Sequence, residues 1–296
     1  APESWSEQLE QFYSDGPVFA VVGGLGTGSW APVSAFCEQH ELPCLYPSVD
    51  LPHRNDGDFY TVYFSGGLLL EADLIAQHLH DDPVATVLQV YCDERFMPAV
   101  ARIRDALADT QVATSELSCA GRMPLEEIGA TLHAGGAVIA WADTEDLGAL
   151  QAAQQGGRFY VSSSLLNAAA PVSMANLEQT VFMAHPFKLP GKSDAAVRRF
   201  EIWARTRDID VTSPRRQAEA LFTCLVIKDA VKHMGRFFIR EYALDMMDHA
   251  EGMTAYLPMH ARPSFGPGQR FINKGGYVLP VVDGEPAVEQ AEWYLP

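Results

Sequence analysis

The chain has 296 residues, 48% of them hydrophobic, and a mean hydropathy of −0.04. That is the profile of an ordinary globular protein, long enough for one large domain or for two lobes with cores of their own. Its 38 acidic against 21 basic residues leave a formal charge of −17, which repels phosphate backbones and anionic lipid and argues against nucleic acid and membrane surfaces as partners. No apolar run approaches the roughly 20 residues that span a bilayer, so no direct membrane insertion is expected. The opening APESW has neither a basic region nor an apolar stretch and does not read as an uncleaved signal peptide; a mature exported chain would look the same.

In chain order, WSEQLEQFYSDG reads as a helix and PVFAVVGG as a strand. A glycine-rich loop follows, then a helix through Phe36 and the strand PCLYPS. DFYTVYFS alternates apolar and polar residues as a half-buried strand does, and GGLLLEADLIAQHLHDD has the spacing of a helix. ATVLQVYC, QVATSELSC, GAVIAWAD and GRFYVSSS are further strands. Their helices are MPAVARIRDALADT, EEIGATLHA and TEDLGALQAAQ. Repeated strand–helix alternation predicts parallel sheets with right-handed crossovers. From Ser193 two long helices are expected. The second starts at Ser213-Pro214, a capping residue before a first-turn proline, and continues to about residue 249. Its apolar residues Ala220, Leu221, Cys224, Leu225, Ile227 and Val231 read as a core face. FINKGGYVLPVV and AEWYLP close the chain as short strands.

The loop of Gly24, Gly26 and Gly28 does not suit a phosphate. A phosphate loop needs a lysine after its last glycine, yet Gly28 is followed by Ser29-Trp30, and no Lys or Arg occurs from Ala1 to His53. The spacing G-x-G-x-G also misses the dinucleotide fingerprint. The free N–H groups and the hydroxyls of Thr27 and Ser29 suit a carboxylate or a neutral polar group instead, at the edge where α/β sheets hold ligands.

Five cysteines show no metal-binding spacing. Cys37 and Cys44 flank a short return between helix and strand, and Cys92 and Cys119 each close an apolar strand. Two disulfides, favouring an oxidising compartment, and five unpaired thiols are both open readings. His78 and His80, two apart on a helix, cannot chelate together and read as a solvated helix end. His53, Asp56 and Asp58 read as a polar turn. No serine elbow, zinc helix motif or positioned base appears, so no catalytic residue, metal or cofactor is expected.

The order of these segments resembles the type I periplasmic solute-binding proteins, the branched-chain amino acid receptor family of ABC importers. GGLGTGSWAPVSAFCEQHELPCLYPSVD is similar to the family's Gly/Ser loop, helix and Ser-ended strand. DFYTVYFSGGLLLEADLIAQHL is similar to the next strand and helix, and VATVLQVYCDERFMPAVARIRDAL to the opening of its second lobe. VFMAHPFKLP is similar to the crossover and GPGQRFINKGGYVLPVVDGEPAVEQAEWYLP to the tail. The resemblance covers nearly the whole chain. It implies an α/β fold of two Rossmann-like lobes with parallel sheets, joined by a multi-strand hinge and closing on a small ligand. Lobe one would hold 1–82 and 190–255, and lobe two 83–185 and 256–296. The family begins with two strand–helix units that the first lobe here would lack, leaving an open sheet edge for a missing segment or a partner to cover.

The resemblance further implies ligand contacts at Ser29, Ser48, Asp50 and Ser65 in lobe one, to which the glycine segment itself adds Thr27, Gly28 and Trp30. In lobe two it implies Phe96, Trp141 and Ser164 (or Ser163), the serine standing where amino-acid receptors carry an acid. Either Asp50 takes over the pairing with a ligand ammonium, or the ligand is not an α-amino acid. The three aromatic residues would suit a flat, apolar or cationic ligand. The function implied is that of a periplasmic, exported, non-enzymatic receptor. Its partners would be a small molecule and an ABC permease or another periplasmic protein. The alternative is a scaffold or sensor subunit that keeps the fold without transport.

Overall fold

In chain order the computed structural model forms α1 (Trp5–Asp15), β1 (Val21–Val22), β2 (Leu25–Ser29), α2 (Ala31–Gln39), β3 (Cys44–Leu45), β4 (Ser48–Leu51) and β5 (Thr61–Ser65). Next come α3 (Leu68–Asp81), β6 (Thr86–Tyr91), α4 (Met97–Leu107), β7 (Ala113–Ser118), α5 (Leu125–His133), β8 (Ala137–Trp141), β9 (Arg158–Ser162) and β10 (Thr180–His185). The remainder are α6 (Ala195–Arg205), α7 (Pro214–Met234), α8 (Arg240–Asp248), β11 (Phe271–Asn273), β12 (Gly276–Val282), β13 (Glu285–Pro286) and β14 (Glu292–Tyr294). The structure describes residues 4–119, 123–142, 156–166, 180–189, 195–249 and 259–296; the helix expected at TEDLGALQAAQ lies outside them.

The chain divides into two compact units, Ala1–Gly67 with Gly191–Lys274 and Leu68–Pro190 with Gly275–Pro296. These bounds differ from 82 and 255, and the packing shows why. α3 packs on α4, β10 and β12 of the second unit, with Arg102 Nε bonded to Asp73 Oδ1 at 2.6 Å. The segment ending at Lys274 stays with the first unit because β11 pairs with β5.

In the second unit the described strands make one eight-stranded sheet, ordered β13-β12-β10-β9-β8-β6-β7 with β14 also on β12. β6 to β10 run parallel and β12 returns antiparallel to β10. β8 is buried along its whole length, as parallel strands covered on both faces are. Leu88, Val138 and Phe159 pack there with Ile128 and Leu132 of α5.

The first unit has a smaller parallel sheet, β1-β3-β5-β11, and a separate parallel pair, β2–β4. Among the described residues β1 is an edge, and Val22 and Leu25 beside it are exposed. β5 is buried from Thr61 to Phe64 rather than on alternate residues. Val62 and Phe64 face Phe222, Val226 and Leu244, while Tyr63 joins Trp30, Phe36 and Leu42 in a second cluster. Two-sided burial conceals the alternation that a half-exposed strand would show. Glu38 anchors the start of β5, its carboxylate accepting the N–H groups of Phe59, Tyr60 and Thr61 at 2.9, 2.8 and 2.9 Å.

The long helix expected to run to about 249 breaks at Gly235, whose φ of +59° is left-handed and favours glycine. The buried stripe of α7 is Ala218, Phe222, Val226, Ala230 and Met234, so the expected core face is rotated and Cys224 is an exposed free thiol. Phe237, Phe238 and Ile239 are exposed after the break. Disulfides join Cys37 to Cys44 and Cys92 to Cys119, one in each unit.

Candidate ligand-binding site

The glycine segment is a strand, not an open loop. β2 pairs with β4 in the register Leu25↔Ser48, Gly26↔Val49 and Ser29↔Leu51. The pairing continues as Ser48 N–H to Gly24 O at 2.9 Å and Trp30 N–H to Leu51 O at 3.1 Å. Two of its glycines serve packing. A Cβ on Gly24 would stand 2.9 Å from the Trp30 indole, closer than real Cβ atoms approach, and one on Gly26 would stand 3.0 Å from the same ring, tighter than nearly all such contacts. The indole lies under the strand, 7% exposed, with Trp5 edge-on at 5.6 Å. Trp30 therefore belongs to the core of the first unit, where with Trp5, Leu9 and Val33 it also lines a cavity of about 330 Å³.

The paired strands carry four of the expected polar residues, and the register shifts between Gly26 and Ser29 so that Ser29 stands opposite Leu51 rather than Asp50. Thr27 and Ser29 are exposed, and Gly28 and Ser48 partly so. Ser48 and Asp50, two apart on β4, share one side of the strand, and Asp50 is buried. Gly67, at φ +57°, lies so tightly against the Asp50 carbonyl that a side chain there would collide with it. Ser65 Oγ accepts the Gly67 N–H at 3.2 Å, which holds the turn in place.

The expected residues of the second unit are packed inside it. Phe96 is buried beneath the Arg95 guanidinium, 4.6 Å from its ring centroid. Trp141 is wholly buried, and its Nε1–H donates to Gln89 Oε1 at 3.1 Å. Ser164 donates its hydroxyl to Glu71 Oε1 at 2.6 Å and its N–H to the same oxygen at 3.2 Å. Position 164 is not itself acidic, yet an acid from α3 meets it.

Sequence reasoning missed three buried polar groups. His78, expected at a solvated helix end, is buried against the Tyr160 hydroxyl at 2.9 Å, and burial lowers its pKa. Arg270, almost wholly buried, donates to the Phe59 carbonyl at 2.6 Å and to Asp248 at 3.2 Å. Glu219 of α7 bonds His260 Nε2 through Oε1 at 2.9 Å. Burial opposes the Glu219 charge, but the hydrogen bond and charge of His260, with the charge of Arg215, hold its pKa below the ordinary glutamate value. Glu219, Ser48, Tyr46, Phe64, Arg216 and Gly24 line one cavity of about 510 Å³. One available signal was the position of Glu219 three residues after Arg216, on one helix face.

No family model matches the chain, and no curated protein does. Solved structures do match in fold. One is a branched-chain amino acid ABC transporter protein from Thermus thermophilus with bound valine, 10% identical at a TM-score of 0.73, covering 97% of this chain and 81% of that one. A leucine-binding protein from Thermotoga maritima is 12% identical at 0.68, covering 100% and 85%. A substrate-binding protein from Streptococcus pneumoniae in complex with isoleucine is 13% identical at 0.67, again covering 100% and 85%. Parallel-dominated sheets in two units and these likenesses lead to one conclusion: the chain has the type I periplasmic binding-protein fold.

Proposed function

We propose that the chain is a solute-binding receptor for ABC-type uptake that holds a small polar or amino-acid-like ligand without turning it over. The observation that carries this reading is the pairing of β2 with β4, which sets the strand of Thr27 and Ser29 beside the strand of Ser48 and Asp50. The fold of the solved relatives, which include proteins with bound valine and isoleucine, supports a solute-binding role. On this reading Gly28 and Ser65 complete the polar rim of the first unit. Two disulfides suit an oxidising compartment such as the periplasm. Among the described residues no helix is long and apolar enough to cross a membrane.

Native mass spectrometry of gently purified protein, followed by calorimetric titration of any released molecule, tests the reading. Ser29→Ala and Asp50→Asn are expected to weaken binding about tenfold each, the loss of one well-made polar contact, with the melting transition retained. Unchanged affinity in both variants overturns the assignment. The exposed Phe237, Phe238 and Ile239 favour the second reading, a scaffold subunit, which predicts an empty chain found only within a larger assembly.

A further inference from the structure

The cavity beside α7 has a chemistry more definite than its volume. Its size of about 510 Å³ is that of small-molecule sites in general. Among the described residues, two buried polar atoms of its lining have no hydrogen-bond partner: Glu219 Oε2 and the Tyr46 hydroxyl. Glu219 is 4% exposed and Tyr46 1%, so bulk water does not serve them, and each buried polar atom left unpaired costs about 1–3 kcal/mol. Both oxygens can accept from one donor. A carboxylate oxygen accepts hydrogen bonds only, and a phenol oxygen can accept as well. Burial raises the Tyr46 pKa, so the phenol stays neutral and adds no second negative charge. The rings of Tyr46 and Phe64, 5.4 Å apart, supply π faces of the kind that attract cations.

We propose that this cavity receives the ammonium group of a small organic amine, with Glu219 as its acceptor and Tyr46 as a second partner. The proposal rests on the solute-receptor reading and adds the charge of the ligand and the residue that recognises it. Asp50 then need not act as the ammonium partner. Arg216 lines the same cavity and opposes a bare cation, which gives the proposal a signed test.

The probes are 2-phenylethylammonium and its neutral counterpart 2-phenylethanol, titrated calorimetrically into the whole chain at pH 7. The amine is expected to bind at least tenfold more tightly than the alcohol. Glu219→Gln keeps the shape and the His260 contact and should abolish that preference. Tyr46→Phe removes a hydroxyl that has no partner in the fold, so it should weaken the amine two- to fivefold without lowering the melting temperature. Arg216→Ala should tighten the amine. Should Glu219→Gln fail to fold, the Tyr46 and Arg216 variants carry the test. Equal binding of amine and alcohol overturns the proposal, as does amine binding indifferent to all three variants. If a native ligand is released by Ser29→Ala and Asp50→Asn but not by Glu219→Gln, the receptor reading stands and this one falls. If neither probe nor any native ligand binds, both fall.

Discussion

Each unit holds a buried glutamate on a helix, and the two sit in different settings. Glu71 of α3 is wholly buried, and one of its oxygens receives both the hydroxyl and the N–H of Ser164. Glu219 of α7 is nearly as buried, but its Oε1 meets the imidazole of His260 and the residue lines a cavity. A carboxylate tied to the backbone of its own unit holds a loop in place. A carboxylate at the wall of a cavity can hold a ligand. Burial alone does not separate the two settings; what each carboxylate faces does.

That contrast can be broken by mutation, and the largest effects belong to the packed side. Trp30→Ala should cost about 3–5 kcal/mol in chemical denaturation, the range for emptying a buried aromatic site; a stable variant with altered affinity would return Trp30 to the ligand. Opening the Cys92–Cys119 disulfide, whose partners are 27 residues apart, should cost about 3–4 kcal/mol, more than the Cys37–Cys44 link with its separation of 7, because a longer loop restricts the unfolded chain more. Glu71→Ala should cost about 1–3 kcal/mol by removing the acceptor of the partly buried Ser164. Glu219→Gln should cost no more than about 1 kcal/mol, since His260 keeps its contact. Equal losses at the two glutamates would dissolve the distinction between them.

The smallest expected effect is a pH dependence in the second unit. Burial lowers the His78 pKa from 6.5 in the folded chain, so the unfolded chain takes up the proton first. Stability is then fully present above about pH 6.5 and falls as the pH drops below that value toward the folded pKa. His78→Gln should flatten that slope in a denaturation series from pH 7.5 to 5. An unchanged slope would place the titration elsewhere.

Much of the architecture was legible along the chain. Alternating strands and helices are written in local periodicity, and β8, a continuous apolar run, declares its two-sided burial. Ser213-Pro214 marks the start of α7 because capping is a local matter. Ser29, Ser48 and Asp50 were singled out through segment order, and the pairing of β2 with β4 sets their two strands side by side. Less was legible in the aromatic residues. Trp30, Phe96 and Trp141 look alike as candidate walls in a list of residue types, and all three are packed inside their units.

The sequence by itself determined what nearest neighbours decide: element types, the two candidate cysteine pairs, the exclusion of phosphate from the glycine segment and the parallel α/β class. Only the tertiary structure decided which side of α7 is buried, since a 3.6-residue period admits neighbouring stripes and the choice falls to β3, β5 and α8 packing against it. It also decided that Gly24 and Gly26 make room for an indole and that His78 is buried against Tyr160. Glu219 meets His260, 41 residues further on, at the wall of a cavity. Each of these depends on atoms brought close by distant parts of the chain, and no local pattern carries the energy of such a meeting.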